Sequence, residues 1–561
     1  MIRTFKTHEI RNQIELTNKL WDFSPCEGDL AEKVYQVSTP SCWETYPNFS
    51  NYRGEAVYST HFFAEGNIRL EFKGVSHTAT IFLDGVEIGS HYNAYTSFSL
   101  IVRNLKRGEH LLEVKADNRF SNESALHIPN DYMSYGGISR PIVLEMIGDL
   151  YIQSMQITPF KEKTKWKLEV ELLVNNIGTK KERVDLEINI AGQSIKWADI
   201  EVDKQSDKKV TQQVSYENIN EWSPESPDLY YAKATIYKHG NAVDDLIDRF
   251  GFREVSIVEN SILLNRKKLR IKGLCRHEDH PQFGCALPYA AIEYDLKIAE
   301  HLGANSLRTA HYPNDEVFLD LCDEKGILVW EENHARGLSL EDMQNPNFQK
   351  QAANVIKEMI PLHYNHPSIF IWGILNECAS HTEYGKECYQ RQFELIKKLD
   401  QSRPHSFASC QFKTDICFGL PDIVSYNIYP LWYHDTPAKE YLSDLYQWVQ
   451  EKTDGRGKPF IVSEIGAGAI YGYRNPQNSK WTEDYQAAAL KEQIKACMEQ
   501  PGCSGVYLWQ FCDIRVSDEW FGGRPRTMNN KGIVDEYRRR KLAYDVVKQA
   551  FESYSSYIEI E

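Results

Sequence analysis

The stretch IFIWGILNE, residues 369–377, begins as an apolar run and ends in Asn376 and Glu377. A short apolar run of this kind is typical of a strand that is buried on both faces of a parallel sheet. Similar stretches, most of them ending in polar residues, recur through the C-terminal half of the chain. The eight predicted strands cover residues 269–278, 305–312, 326–333, 369–377, 405–410, 423–430, 459–466 and 505–513.

Helical sequence patterns lie between most of these strands, for example at residues 294–303, 315–326, 349–364 and 485–500. Eight strands that alternate with helices over about 300 residues predict a catalytic (β/α)8 TIM barrel, which we place at 258–561. Such a barrel builds its active site at the C-terminal ends of its strands. The polar residues that end the predicted strands are therefore expected to meet in one pocket.

The part of the chain before the barrel reads as β structure throughout. Residues 1–147 contain short alternating stretches separated by Gly, Asn and Asp turns, which predicts a jelly-roll domain. Residues 148–257 contain about seven short strands, which fits an immunoglobulin-like β-sandwich. The sequence thus predicts a three-domain protein of mixed β and α/β structure.

Composition excludes several classes of function. The net charge of −15 argues against nucleic acid or an anionic membrane as the main partner. The chain begins without an apolar signal segment and contains no apolar run long enough to span a membrane. The 12 cysteines form no CxxC pair, which favours reduced thiols in a cytoplasmic protein.

Two carboxylates that follow apolar strands are the strongest catalytic candidates. Glu377 ends the fourth predicted strand, and Glu464 lies near the end of the seventh, on the opposite side of a barrel mouth. Burial in a shared site can separate the pKa values of two carboxyls and give one acid and one nucleophile. Retaining glycosidases hold such a pair about 5–5.5 Å apart, whereas inverting enzymes leave roughly 6.5–9.5 Å. The alternative for either residue alone is a structural salt bridge.

At these residues the chain resembles glycoside hydrolase family 2. NHPSIFIWGILNE (365–377) resembles the acid/base signature of that family, and VSEIG (462–466) resembles its nucleophile segment. GANSLRTAHYPND (303–315) and KGLCRHEDH (272–280) resemble its second-strand and first-strand signatures. Upstream, the segments WDFSP, SCWETY, YRGEAVYSTHF and SYGGISRPIVLE resemble the sugar-binding domain of the family. The resemblance covers essentially the whole chain.

The resemblance implies a retaining exo-β-glycosidase and assigns roles to individual residues. Glu377 matches the acid/base, Glu464 the nucleophile, and Asn376 a residue that hydrogen-bonds the sugar 2-hydroxyl. For the tyrosines and the tryptophan, the alternative is packing in a core. The other matching candidates for the sugar pocket are Asp131, His277, Arg308, His311, Asn427, Tyr429, Tyr433 and Trp509.

The segment MNNKGIVDEYRRRK (528–541) points to the kind of sugar. Asn529 and Lys531 resemble the Asn-x-Lys element with which the β-glucuronidases of the family hold the substrate carboxylate. An ammonium and an amide make charge-assisted hydrogen bonds to a carboxylate, and a neutral hexose offers no such partner. The alternatives are a solvated turn and a neutral β-galactosidase in which Lys531 is incidental.

Arg336 departs from the family pattern, because a small apolar residue is usual after the third strand. An arginine at that position could donate to the 4-hydroxyl or to the carboxylate of the sugar, or it could face solvent. The configuration at C4 stays open, and we predict a β-hexuronidase that acts on glucuronides or galacturonides. Residues 337–350 are short where relatives carry a long lid, which predicts an open aglycone side that admits oligosaccharides.

Two other interpretations remain open. Two β-sandwiches and a degenerate barrel would make a non-catalytic carbohydrate-binding protein. The HxxH spacing of His277 and His280 could indicate a metal enzyme, although it is a weak signal. We expect no cofactor and no metal, a uronide as the partner, and a homo-oligomer.

Overall fold

The computed structural model describes residues 1–31, 33–520 and 524–558. Two β-rich domains are followed by a closed eight-stranded barrel, so the predicted fold class is confirmed. The boundaries after residues 147 and 257 stay predictions, and residues 559–561 lie outside the described residues. No helix in the described part of the chain is long and apolar enough to cross a membrane.

The first domain is built on an eight-stranded antiparallel sheet with β4 and β8 at its centre. Along these strands buried residues alternate with exposed ones, because only one face of the sheet packs on the core. One 3-10 turn lies at Trp43–Thr45. The strands are β1 (Asn12–Glu15), β2 (Lys19–Pro25), β3 (Tyr35–Thr39), β4 (Glu55–Phe72), β5 (Val75–Ser76), β6 (Thr78–Leu83), β7 (Val86–Tyr92), β8 (Phe98–Asp117), β9 (Gly137–Ile138) and β10 (Ile142–Ile147).

The second domain is a sandwich of a three-stranded and a four-stranded sheet, so the expected seven strands are present, and two further short strands between residues 222 and 227 pair with each other. Their inward-facing residues form a separate core. The strands are β11 (Leu150–Glu162), β12 (Lys165–Asn176), β13 (Glu182–Ile190), β14 (Gln193–Val202), β15 (Ser206–Tyr216), β16 (Trp222–Ser223), β17 (Ser226–Pro227), β18 (Tyr230–Lys238) and β19 (Asn241–Phe250).

The barrel is closed by parallel pairing of its first and last strands. Three strands that precede it in the chain, β20 (Val255–Val258), β21 (Ser261–Leu264) and β22 (Lys267–Leu269), form a small sheet with β33 (Tyr557–Ile558), which follows it. The barrel strands are β23 (Ile271–Cys275), β24 (Ser306–Arg308), β25 (Leu328–Glu332), β26 (Ile369–Ile374), β27 (His405–Ser409), β28 (Val424–Asn427), β29 (Phe460–Ile465) and β30 (Cys503–Leu508).

Helices cover the outside of the barrel and bury their apolar faces against it. The helices are α1 (Tyr289–His301), α2 (Glu316–Lys325), α3 (Leu340–Met343), α4 (Phe348–His363), α5 (Glu383–Leu399), α6 (Ala438–Lys452), α7 (Glu483–Glu499) and α8 (Ala543–Glu552). A second 3-10 turn at Pro525–Thr527 and the short strands β31 (Ile514–Arg515) and β32 (Met528–Asn529) follow β30.

The structure differs from the sequence prediction in two respects. The barrel strands are shorter than predicted, because some of the polar residues that end the apolar runs, such as His311 and Glu377, lie in loops beyond the last ladder pair, whereas Arg308 and Glu464 are still paired. No helix separates β27 from β28 in the described structure, and residues 410–423 form an irregular loop instead. That segment contains Gly419 and Pro421, which disfavour a helix in so short a connection.

Buried arginine contacts join the two β-domains. Arg11 donates to Glu145 of β10 at 3.0 Å, to Asp244 of β19 at 2.8 Å and to the carbonyl of Ile152 at 2.8 Å. All three charged side chains are almost completely buried. Since both carboxylates need the same guanidinium, Arg11 fixes how the first sheet packs against the second domain.

Substitution of Arg11 by Leu is expected to lower stability. It leaves Glu145 and Asp244 buried without this guanidinium, and breaking a buried ion pair costs about 3–5 kcal/mol. Thermal unfolding followed by circular dichroism should show the first transition lowered by roughly 5 °C or more. The exposed Arg107, replaced in the same way, serves as the control and should change little. Equal transitions for both variants would contradict the assigned role.

Candidate active site

The two candidate carboxylates lie in the loops and strand ends at the C-terminal mouth of the barrel. Glu464 is part of β29 and is buried, whereas Glu377 comes three residues after β26 and is partly exposed. The backbone at Leu375 and Glu377 is left-handed, with φ values of 42° and 53°. Non-glycine residues rarely adopt this conformation, and such positions are concentrated at functional sites.

Arg308, at the end of β24, holds three groups of the site at once. Its guanidinium donates to Glu464 at 2.9 Å, to the side-chain oxygen of Asn376 at 2.8 Å and to Glu332 at 2.7 Å. The side chain of Arg308 is completely buried. A buried planar guanidinium with these partners fixes the positions of side chains from three other strands or strand ends. Glu332 is one of the polar residues that end the third predicted strand, but no role was predicted for it individually.

Asn427, at the end of β28, links Asn376 to Glu377. Its amide nitrogen donates to the side-chain oxygen of Asn376 and to Glu377, both at 3.0 Å. Its side-chain oxygen accepts from Ser463 at 2.7 Å, which fixes the orientation of the amide. The amide nitrogen of Asn376 is buried and has no hydrogen-bond partner in the described structure. One unused donor therefore remains beside the two carboxylates.

The pKa of Glu464 is set by opposing influences. The pKa is raised to about 7 overall: burial and, to a smaller extent, the charge of Glu377 raise it, whereas Arg308 and the hydroxyl of Tyr429 lower it. The Tyr429 hydroxyl donates to Glu464 at 2.5 Å. The influence of Glu377 on this pKa means that the two carboxylates interact electrostatically.

Lys531 lies beside Tyr429 and Tyr433. Its ammonium donates to the hydroxyl of Tyr433 at 2.9 Å and lies 5.5 Å from the ring centre of Tyr429. The residue is 2% exposed, and none of the ion pairs in the described residues includes it. Burial and then the charge of Arg524 lower the pKa of Lys531. A buried ammonium that lacks a carboxylate within salt-bridge distance is suited to bind an anion.

A buried ion pair holds the turn that carries Lys531. Asp513 accepts from the backbone of Gly532 at 2.9 Å, from Asn530 at 3.0 Å and from Lys541 at 2.6 Å. A Cβ added at Gly532 would lie 2.2 Å from the backbone nitrogen of Asp513, so the turn has no room for a side chain there. The predicted Asn-Asn-Lys-Gly turn is therefore buried and fixed rather than solvated.

The first domain supplies one wall of the pocket. Asp131 accepts from Asn529 at 3.0 Å and from Arg524, which makes two hydrogen bonds to it. The neighbouring Asn130 accepts from Arg336 at 2.7 Å. Arg524 was missed in the sequence, although it comes five residues before Asn529 in a basic segment, because nothing in that spacing distinguishes it from a surface arginine.

Arg336 faces the pocket and not the solvent. It donates to Glu377 at 3.3 Å, and its side chain is 18% exposed. Its backbone carbonyl accepts from Asn130 at 3.1 Å, so both ends of the residue are held by the first domain. The alternative in which Arg336 faces solvent is therefore not observed, and its contact with the sugar stays a prediction.

The contacts described above link the residues of the site into a closed ring, which we call the polar circuit. Each member contacts the next by a hydrogen bond, except that Lys531 approaches Tyr429 through its ring. Both candidate carboxylates and three cations thus belong to one connected network. The circuit consists of Glu464, Tyr429, Lys531, Asn529, Asp131, Asn130, Arg336, Glu377, Asn427, Asn376 and Arg308.

The remaining predicted residues lie next to this circuit. His311 bonds Glu332 at 3.0 Å and lies 3.9 Å from Glu464. Trp509 stacks on His311 with ring centres 5.0 Å apart, and its edge meets His277. Trp509 is 4% exposed, so its predicted role as a platform beneath the sugar stays a prediction. Tyr433 is more than half exposed and reaches the site through Lys531.

The acidic residues of the HxxH segment have protein partners. Glu278 is paired with Arg140 at 2.8 Å, and Asp279 accepts from the hydroxyl of Tyr135 at 2.8 Å. The candidate metal group in the described residues lies elsewhere and consists of Asp320, Asp323 and His366. In that group, the guanidinium of Arg3 forms an ion pair with the carboxylate of Asp320 at 2.7 Å.

Comparison with protein families gives three matches in chain order. The model described as glycosyl hydrolase 2 galactose-binding domain-like covers residues 48–143, and that of glycosyl hydrolases family 2 covers residues 150–253. The model of the family 2 TIM barrel domain covers residues 255–555, which is more than half of the chain. The chain belongs to glycoside hydrolase family 2. The resemblance seen in the sequence is therefore confirmed, and the protein is a glycoside hydrolase.

Relatives of this family 2 enzyme include several uronidases. A crystal structure of a family 2 β-galacturonidase from Eisenbergiella tayi, bound to galacturonate, is 57% identical with a TM-score of 0.98, covering 100% of both chains. A β-glucuronidase from Streptococcus agalactiae is 28% identical over 84% of each chain. A β-galactosidase from Thermoanaerobacterium thermosulfurigenes is 27% identical over 92% of this chain and 69% of its own.

The pKa of Glu464 gives this family 2 enzyme a testable pH dependence. A nucleophilic carboxylate must be ionised, so kcat/KM should fall as the pH drops through about 7. Replacing Tyr429 by Phe removes a hydrogen bond that favours the ionised form of Glu464. The acidic limb of the pH profile, in which kcat/KM falls with decreasing pH, should therefore move to higher pH. The position of this limb would be measured from kcat/KM between about pH 5 and pH 9.

The control for this measurement is a tyrosine far from the pocket. Tyr231 in the second domain is exposed, and its replacement by Phe should leave the acidic limb where it is. An acidic limb that does not move in the Tyr429→Phe variant would contradict the role given to this hydrogen bond.

Proposed function

We propose that the protein is a retaining exo-β-hexuronidase that removes terminal uronic acid residues by way of a covalent glycosyl-enzyme intermediate. The observation that carries the proposal is the buried ammonium of Lys531, which belongs to the same polar circuit as Glu377 and Glu464. In a protein of net charge −15, such a local cation selects an anionic sugar.

The reaction uses the two carboxylates in turn. Glu377 donates a proton to the glycosidic oxygen while Glu464 attacks the anomeric carbon, so the aglycone leaves as an alcohol and the sugar is bound to Glu464. Glu377, now ionised, takes a proton from water, whose oxygen displaces Glu464 from the anomeric carbon. Two inversions at one carbon restore the β configuration. Asn427 is positioned to hold Glu377 through both steps.

The polar circuit offers partners for the sugar hydroxyls. The unpartnered amide nitrogen of Asn376 is a donor beside both carboxylates and suits the 2-hydroxyl. Arg308 keeps the oxygen of that amide occupied, so the nitrogen has to point away from the guanidinium. A hydrogen bond to the 2-hydroxyl that strengthens in the transition state contributes to the rate in glycosidases.

The sugar carboxylate is assigned to Lys531 and Asn529. Arg524 adds positive charge to this side, although Asp131 already binds its guanidinium. Removing the carboxylate from the substrate would leave the buried ammonium of Lys531 unpaired, which disfavours a neutral hexose.

We propose a preference for β-D-galacturonides over β-D-glucuronides. Two facts support it: Arg336 reaches Glu377 inside the pocket, and the Eisenbergiella tayi relative is a β-galacturonidase. An arginine on this side is suited to donate to an axial 4-hydroxyl, which is the single difference between the two sugars.

A panel of p-nitrophenyl β-glycosides tests the proposed function. We expect kcat/KM to be highest for the galacturonide, then the glucuronide, and at least tenfold lower for the galactoside. With the best substrate, proton NMR of the first turnovers should show the β-anomer of the free uronic acid appearing before the α-anomer. A galactoside that reacts tenfold faster than either uronide would overturn the uronate assignment, and an α-anomer formed first would exclude retention.

Lys531→Ala tests the carboxylate site directly. We expect the uronide kcat/KM to fall by more than tenfold, since a hydrogen bond to a charged group contributes about 1.5–3 kcal/mol. The relative activity toward the galactoside should rise, because the variant has lost the charge that favours an anionic sugar. The control is Lys495→Ala, which removes an exposed lysine of α7. An unchanged uronide kcat/KM in the Lys531 variant would refute the assignment.

A further inference from the structure

We propose that Phe412, Tyr441 and His434 form a binding site for the leaving group, which we call the aromatic arc. The chemical class it takes is an aglycone with a flat apolar face, either an aryl ring or the apolar face of a second pyranose. This inference rests on the proposed function and adds what that function leaves open, namely what is attached to the uronic acid.

One end of the aromatic arc is tied to the acid/base candidate. Gln411, next to Phe412, donates to the backbone carbonyl of Cys378, the residue after Glu377, at 3.2 Å. The charge of Glu377 also acts on the thiol of Cys410, whose pKa is raised first by burial and then by that charge. The loop that carries Phe412 is therefore held against the Glu377 side of the pocket.

The other end of the arc adjoins the nucleophile and the carboxylate site. His434 directly follows Tyr433, whose hydroxyl accepts from Lys531. The ring of Tyr433 lies edge-on to that of Tyr429, with centres 5.2 Å apart, and Tyr429 bonds Glu464. The arc thus runs along the pocket mouth from the side of Glu464 to the side of Glu377.

The rings of the arc contact one another in sequence. Tyr441, in the first turn of α6, lies 5.2 Å from Phe412 and 5.3 Å from His434, measured between ring centres. Lys413 lies 5.4 Å from the ring centre of Phe412 and is bonded to Asp444 of the same helix, which fixes the loop on α6. The three rings of the arc therefore pack against one another and form one continuous surface.

Phe412 is more exposed than its packing requires. It is 42% exposed, although the barrel core lies directly beneath its loop and takes in Cys417 and Phe418 from the same segment. An exposed phenylalanine at the rim of a catalytic pocket leaves apolar surface that a ring can cover.

The position of the arc matches the direction in which the leaving group departs. The aglycone oxygen must lie next to Glu377, because that residue protonates it. The loop of Phe412 is attached beside Glu377, whereas the opposite end of the arc, at His434, adjoins the Tyr433 that binds Lys531. A ring bonded to the glycosidic oxygen would therefore reach the Phe412 end of the arc.

The test compares Phe412→Ala with the wild type on three uronides of the same sugar. The aglycones are p-nitrophenyl, a second pyranose and methyl. We expect the ratio of kcat/KM for the p-nitrophenyl uronide to that for the methyl uronide to fall at least fivefold, because only the larger aglycone reaches Phe412. The pyranose-to-methyl ratio should fall in the same direction, and the two ratios together tell whether aryl or sugar rings bind better.

Two further variants complete the design. Phe412→Trp keeps an aromatic face and should restore the aryl-to-methyl ratio to within twofold of the wild type. Phe63→Ala removes another exposed phenylalanine, on the first domain, and should leave both ratios unchanged. Inhibition by the free uronic acid, which fills only the sugar site, reports whether the Phe412→Ala pocket is intact.

The possible failures of the two proposals can be told apart. An enzyme that hydrolyses none of the uronides contradicts the proposed function. An enzyme that hydrolyses them with the same aryl-to-methyl and pyranose-to-methyl ratios in the wild type and in Phe412→Ala, while the free uronic acid still inhibits, overturns the aromatic arc alone.

Discussion

The site depends on one buried cation that faces three acceptors. Arg308 binds Glu464, Glu332 and Asn376 and has no exposure to solvent. A buried guanidinium is stable only when its charge and its donors are satisfied, so the four groups stabilise one another. Because they come from four different strands or strand ends, the cation also fixes the register in which the barrel closes around the pocket.

The fold could be predicted from the sequence because each apolar strand of the barrel is unbroken and ends in polar residues. All eight strands were located, and each prediction was too long by a few residues at one or both ends, except that β30 begins earlier. The period of the hydrophobic residues cannot reveal where ladder pairing stops, since the residues just beyond the last pair are as buried as those of the strand. Residues 410–423 show the same limit, because propensity alone does not decide between a helix and a loop of that length.

Site residues could be predicted from the sequence where a side chain of that type has few structural roles at its position. They were missed where it has many. Glu377 and Glu464 follow strands that leave little reason for a carboxylate other than chemistry. Arg524 and Asn130 could not be recognised, because their roles depend on side chains that are hundreds of residues away in the chain. Glu332 stands beside Glu331 in the sequence, and only the pleat of β25 separates the one that binds Arg308 from the one that binds His363.

The pocket wall contributed by Asn130 and Asp131 has a consequence for the barrel on its own. Asp131 neutralises Arg524, whereas Asn130 only holds Arg336, which the barrel pairs with its own Glu377. Undocked, the barrel mouth would hold the unshielded guanidinium of Arg524, which would attract small anions such as phosphate or citrate. Docking of the first domain therefore removes a charge that would otherwise compete for anions at the mouth of the barrel.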